Sequence, residues 1–556
     1  TRRSSDLYNV LGLVHRGLGD LKSSKENYER ALDIQLKNLG TQHVDVANSY
    51  HHLGNVQHNL GNLDQAMEYY ERALEIQVEN LGHDHIYVAF SFSNMGVVES
   101  ELGNLQQAKE YFVRTLDIRL KALGTEHVDV ARSYYDLGVV QYELGDLQEA
   151  KKCYERALNI RLKKLGPEKV AVVHTLYELG DVQCKLGDLQ QAKECYEPVL
   201  DIELKKLGPE HVDLVSIYLK LGMVQSKLGN LKQTKEYQER ALAVRLKNLE
   251  PDHVDIANSY HHLGNVEFAM NNVQQAKDLY KRALEIQLKN LEPDHVYVAF
   301  SYEGLGSVQR KLGVLVKAKE YYKRALKIRL KRLGPVHIDV AFTHHNLGMV
   351  QRELFHLQKA KKHLKCALDI TLKKLGPEHV DVARIYDDLG NVQYDLGELQ
   401  EAAKHCECAL NIRLKKLGPE HAEVASSYHN LGYVQCQLGD LQKSKECYEQ
   451  ALAIRQKTLG CDYIDMANTY HHLGVVECQL GDLQQARKCH QQALDIRLKN
   501  LGPEHVDMAN SYHYLGNVLF AMNDMQQAKE LHERALDIQL KNLEPDHLYV
   551  AFSLHN

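Results

Sequence analysis

The sequence predicts an all-α solenoid of helix-turn-helix hairpins, and three observations carry that prediction. An apolar-Gly step returns every 42 residues, from Gly12 through Gly54 and Gly96 to Gly516, without insertion or deletion. Inside each 42-residue unit, apolar residues recur at helical spacing in two runs. A short polar turn, usually holding a second glycine such as Gly61, divides the runs. A fixed period of this length marks stacked supersecondary units, none of which buries its apolar face alone.

Residues 43–84 serve as the reference unit. Asp45 is placed to cap a first helix, along which Val46, Tyr50, Leu53, Val56 and Leu60 share a face. Gly61 suits a left-handed C′ position, and Asn62 is placed to cap a second helix with Gln65 at N3. That helix carries Leu63, Ala66, Tyr70, Ala73, Leu74 and Ile76 and ends near Leu81-Gly82. In many units a Gly-Pro-Glu-His loop follows, as at Gly208–His211. Cations such as Arg161, Lys163 and Lys164 crowd the last turn, where they suit the helix dipole. About eight buried apolar side chains at ~1.5–3 kcal/mol each do not offset ordering costs of ~1–2 kcal/mol per residue, so stacking is obligatory.

The chain therefore reads as one domain of thirteen repeats: 1–42, 43–84, 85–126, 127–168, 169–210, 211–252, 253–294, 295–336, 337–378, 379–420, 421–462, 463–504 and 505–546. A truncated fourteenth occupies 547–556. Terminal repeats ordinarily present a polar capping face, so a half-hairpin at the end leads us to expect a piece of a longer protein.

Net charge is -6, from 68 basic and 74 acidic residues, and a nucleic-acid footprint would need a basic excess. No apolar run reaches the ~20 residues of a membrane span, and no signal-peptide pattern opens the chain. The 11 cysteines are odd in number and scattered over helices, which points to a reducing, cytoplasmic setting. In the His405-Cys406-Glu407-Cys408 cluster, Cys406 takes the place held by Tyr70 and Tyr154 elsewhere and reads as a core substitution. Neighbouring histidines such as His51-His52 and His261-His262 diverge by about 100° on a helix and cannot chelate one ion as an i, i+4 pair can. No phosphate-cradling loop, His-Glu-x-x-His, nucleophile elbow or Cys-x-x-Cys is present, so neither an enzyme nor a cofactor or metal site is expected.

Leu53-Gly54, Gly61, Ala66, Tyr70 and Ala73 match the small/large pattern of a tetratricopeptide repeat, with Tyr50 in place of its usual Trp. The 42-residue length and the run Leu207–Asp213 resemble the long repeats of kinesin light chains and nephrocystin-type proteins. The resemblance implies a right-handed superhelix whose first helices line a concave face. It also implies a non-enzymatic scaffold that binds protein or peptide partners. A kinesin light chain-like cargo adaptor and the ligand-sensing end of an NTPase switch protein are the alternatives. A kinesin light chain would bring a heptad coiled coil and fewer repeats, and this chain shows neither.

A second period overlies the first. Ala47–Val56 reappears at Ala257–Val266 and, nearly, at Ala509–Val518. Each copy is followed one repeat later by Tyr-Val-Ala-Phe-Ser, beginning at Tyr87, Tyr297 and Tyr549. Blocks of repeats were duplicated together. Two local breaks stand out. Pro198 lies inside a second helix, and Phe355 replaces a turn glycine, so loosening is expected at both.

Under the resemblance, the groove is lined by the positions of Asn48, His51 and Asn55. Their counterparts are Arg132, Tyr135 and Tyr142 in the fourth unit; Asn258, His261, Asn265 and Phe268 in the seventh; and Arg384, Asn391 and Tyr394 in the tenth. Asn and His can bond a peptide backbone while Tyr and Phe pack its side chains. Lys185, Lys227, Arg310, Lys311 and Arg352 stand late in the middle first helices, whereas the flanks offer Glu101, Glu143 and Asp395. Like charges that share a groove focus the field, so an acidic partner is expected in the middle third.

Overall fold

The computed structural model describes residues 2–459 and 464–542, and among them are 26 helices and no strand. The expected fourteenth half-hairpin lies outside the described residues. Contacts group the chain into two compact units, Thr1–Pro251 and Asp252–Asn556. Each is a run of antiparallel helical hairpins. First helices begin at Val44, Ile86, Val128 and Val170 in the first unit, then at Val254, Val296, Ile338, Val380, Ala422, Ile464 and Val506 in the second. The 42-residue step therefore holds in three dimensions. One first helix, Leu214–Lys227, starts two residues late.

The repeating glycine has a steric cause. A Cβ on Gly54 would stand 2.6 Å from the ring of Tyr70, and one on Gly180 would stand 2.5 Å from Tyr196. Each glycine of the 42-residue series thus seats one side chain of the second helix, and Tyr70 and Tyr196 are almost fully buried. The seat accepts other tenants: Phe112 under Gly96, Leu364 under Gly348, His490 under Gly474 and Cys406 under Gly390. Cys406 is wholly buried, and burial pushes its thiol up to about 12, which agrees with a core role.

The capping chemistry differs from the sequence reading. His43, not Asp45, is the N-cap: its Nδ1 accepts from the Asp45 backbone N–H at 3.1 Å. The same bond recurs at His127, His253, His337, His379 and His505, and so explains the periodic histidine of the loop. Asn62 does hold the N-cap position of Leu63–Leu81, but its amide donates instead to Gln57 Oε1 at 2.9 Å. That choice satisfies a glutamine that would otherwise be buried unpaired.

The helix Leu189–Leu207 runs unbroken through Pro198, which sits on its exposed side. A solvent-facing carbonyl loses its N–H partner to the proline and can turn to water instead. Phe355 takes the left-handed turn conformation, φ 57°, with its side chain 87 % exposed.

Buried polar staples tie hairpin to hairpin. Ser49 and Ser91 donate to Gln35 and Gln77 at 2.7 and 2.8 Å. Where arginine replaces the glutamine, it donates instead, as Arg119 does to Ser133 at 2.7 Å and Arg161 to Thr175 at 2.6 Å. Arg119 and Arg329 are each 1 % exposed, among the most buried side chains in the chain.

Candidate functional site

First helices of adjacent hairpins meet face to face, and residues 43 apart touch across the seam. His58 meets Glu101 at 3.0 Å, Arg310 meets Glu353 at 2.7 Å, and Arg352 meets Asp395 at 2.6 Å. Asn94 bridges His51 Nε2 and Asn55 Oδ1 at 3.2 and 3.0 Å. Much of the polar chemistry expected to face a ligand therefore holds hairpins together.

Among the described residues, one cavity in each unit gathers the first-helix positions of the expected groove. The first, about 510 Å³, is lined by Asp6, Asn9, Gln35, Asp45, Asn48, His51, His52, Gln77, Tyr87 and Phe90. Tyr87 and Phe90 keep 42 % and 37 % of their surface open to solvent. The second, about 680 Å³, gathers Asn258, His261, His262, Asn265, Phe268, Tyr280 and Gln287 with Tyr297, Phe300, Glu303, Arg329 and Phe342. Volumes of this order suit a bound side chain or small ligand.

The floors are rigid. Tyr280 Oη donates to Asn265 at 2.7 Å, and Tyr70 Oη to Asn55 at 2.8 Å. Arg329 lies 4.9 Å over the Phe300 ring and pairs with Glu303 at 2.6 Å, while Arg119 lies 5.4 Å over Phe90. Gly304 leaves room beside Tyr280, whose ring would stand 2.5 Å from a Cβ there. Burial and the adjoining imidazole hold His51 and His261 down at about 4, so both are neutral hydrogen-bonding groups at physiological pH. The His51 and His52 rings stand edge-on, 6.1 Å apart.

Asn48, His51, Asn258, His261, Asn265 and Phe268 line these cavities, while Asn55 is spent inside the stack. The fourth-hairpin residues are engaged locally: Arg132 with Asp136 at 3.9 Å, Tyr135 beneath Arg161 at 4.6 Å, and Tyr142 beneath Lys185 at 3.8 Å. In the tenth, Arg384 pairs with Asp381 at 3.1 Å and Tyr394 packs on Tyr433 at 4.7 Å, while Asn391 is half-buried. Lys227 is exposed, and Lys311 sits 5.1 Å over the Phe268 ring. Sequence reasoning missed Tyr87, Phe90, Tyr297 and Phe300 as cavity walls. The signal was present in the duplicated Tyr-Val-Ala-Phe-Ser runs, which lie one repeat beyond the residues they face.

Among the described residues no group of three His, Cys, Asp or Glu side chains is drawn together to hold a metal, and no helix is long and apolar enough to cross a membrane. No curated protein matches the chain. Among solved structures, BtubC (BKLC) from P. vanneervenii is 26% identical with a TM-score of 0.37, covering 41% of this chain and 92% of its own. A putative kinesin light chain with nearly identical TPR-like repeats from Podosopora anserina is 27% identical with a TM-score of 0.34, covering 37% and 98%. The APC/C hetero-tetramer Cut9-Hcn1 gives 16% identity and a TM-score of 0.39, covering 93% and 96%. The family model for the tetratricopeptide repeat matches in overlapping windows that together run over 3–163, 172–457 and 465–556. With hairpins, glycine seats and register all in agreement, the chain belongs to the tetratricopeptide repeat family.

Proposed function

We propose that this chain is a non-catalytic scaffold that binds extended peptide or protein partners along its first-helix faces. The observation that carries this reading is the pair of open cavities whose walls combine amide groups, neutral imidazoles and exposed aromatic rings. Amides can bond a peptide backbone in either sense, and aromatic faces bury its side chains at low entropic cost. The ten cysteines among the described residues are all free, which supports a reducing, cytoplasmic setting.

An acidic partner segment remains part of the reading for Lys227, Arg310 and Arg352. For the two arginines, a ligand carboxylate would displace Glu353 or Asp395. The test is selection from a randomised short-peptide display library on the intact chain, followed by calorimetry. Peptides that bind and lose affinity on Phe90→Ala or Phe300→Ala support the scaffold reading; no selectable peptide overturns it. A Lys227→Glu, Arg310→Glu, Arg352→Glu chain that binds an acidic peptide pool as well as the parent removes the acidic element alone.

A further inference from the structure

The duplicated block and the cavities coincide. Ala47–Val56 and Ala257–Val266 are identical, as are Tyr87–Ser91 and Tyr297–Ser301. In each unit the first run supplies one wall and the second run the facing wall. Asn48 and His51 face Tyr87 and Phe90 in one cavity, and Asn258 and His261 face Tyr297 and Phe300 in the other. The supports repeat as well: Ser91 donates to Gln77 at 2.8 Å and Ser301 to Gln287 at 2.7 Å. Among the described residues the other hairpins do not carry this pairing; a third sequence copy, Asn510 and His513 with Tyr549 and Phe552, has its second half outside them. The Phe90 position holds Arg132, His174 and Ser216 in the next three units, and a Tyr at the Tyr87 position occurs otherwise only at Tyr297 and Tyr549.

We infer that the described residues carry one recognition site twice, and that both copies bind the same short peptide motif: an uncharged segment anchored by an aromatic side chain. This rests on the scaffold reading above and specifies its ligand. The chemistry follows from what the cavities share. The shared walls hold no carboxylate, lysine or arginine, and burial keeps His51 and His261 neutral, so a buried ligand charge would find no common ionised partner and would pay its desolvation unaided. Tyr and Phe rings offer stacked or edge contacts to an aromatic anchor. Asn48 and Asn258 offer a donor and an acceptor to the peptide backbone beside it. The charged groups stand at different positions in the two copies, Asp6 and Asp45 in one against Asp339 and Glu303, the latter paired with Arg329, in the other, and so are not part of what the copies share. A partner that presents the motif twice would bind through both copies and gain avidity without any new contact.

The experiment is cross-selection. Every chain in the series, the parent included, carries Phe552→Ala so that the third sequence copy lacks its ring. Peptides are selected from a randomised short-peptide display library on the Phe300→Ala chain, where the Asn48 cavity is whole. The winner is then measured on the Phe90→Ala chain, where the Asn258 cavity is whole. The expected result is binding to both with dissociation constants within about tenfold, two equivalents on the parent chain, one on each variant and none on the double variant. Winners should carry an aromatic residue without a charge cluster. Because removing Phe90 or Phe300 also uncovers Arg119 or Arg329, the pair Asn48→Ala and Asn258→Ala repeats the measurement with the rings intact. A winner that binds only the chain it was selected on, one equivalent on the parent, undiminished binding to the double variant, or winners dominated by acidic or basic runs overturns the inference. Each of those results leaves the scaffold reading standing, since a peptide is bound. Failure to select any peptide on the parent overturns both.

Discussion

The seat beneath Gly54 and the seat beneath Gly474 share a backbone and differ in their tenants. Tyr70 fills the first, and its hydroxyl donates to Asn55 at 2.8 Å. His490 fills the second at 1 % exposure, and neither of its ring nitrogens has a hydrogen-bond partner. The counterpart of Asn55 beside this seat is Val475, which offers no acceptor. Filling is therefore the common requirement of the seat, and polarity is settled one residue further along the first helix.

The largest effect should come from emptying the first seat. Tyr70→Ala is expected to cost about 3–5 kcal/mol, read as a fall in the urea midpoint. Overfilling it by Gly54→Ala should cost about 1–3 kcal/mol, because the Cβ meets a fixed ring. Gly222→Ala should cost less, since the nearest atom is the movable amide end of Gln238 at 3.1 Å. Equal losses for the two glycines would break the comparison.

The second seat should announce itself in the pH dependence. Burial holds His490 down at about 4 against an ordinary 6.5. The unfolded chain therefore takes up the proton first, and stability is lost as pH falls from 6.5 towards 4, by up to ~3 kcal/mol. His490→Phe, with Phe112 as the precedent, should raise the melting temperature at pH 7 by removing two unpaired nitrogens and should lessen the loss across that window, to which His51 and His261 also contribute. Unchanged pH dependence in the variant would place the acid sensitivity elsewhere, His471 and His429 being the next candidates at about 2 and 3.

Smaller effects sharpen the polar half of the comparison. Tyr70→Phe keeps the shape and drops one hydrogen bond, for ~1 kcal/mol at constant denaturant slope. Arg352→Ala removes a half-exposed ion pair with Asp395 and should cost under ~1 kcal/mol, less still in high salt.

The hairpins were readable because their signals are local or strictly periodic. Helical spacing, turn glycines and the seat glycine all follow from sterics within one 42-residue unit. The caps were harder. Asp45 and Asn62 carry the right side chains at plausible places, but His43 reaches the N–H first and Gln57 claims Asn62. Such contests are decided by a few tenths of an ångström and leave no periodic trace. The candidate site was half legible: Asn48, His51, Asn258, His261 and Phe268 follow from their position on the first helices, whereas Tyr87 and Phe90 face them from the next repeat.

By itself, the amino-acid order determined that the chain is helical, where each hairpin turns, and that every unit must stack, since a single hairpin buries too little apolar surface to fold alone. Only the tertiary structure decided which polar residues remain for a partner. Arg310 and Arg352 look alike in sequence to any solvated cation, yet each is paired with a carboxylate 43 residues on. Asn55 looks like Asn48, yet it is consumed by Tyr70 and Asn94. The physical reason is that hydrogen-bond and ion-pair energies fall steeply over a few ångströms, so a groove residue's availability depends on distances that only stacking sets.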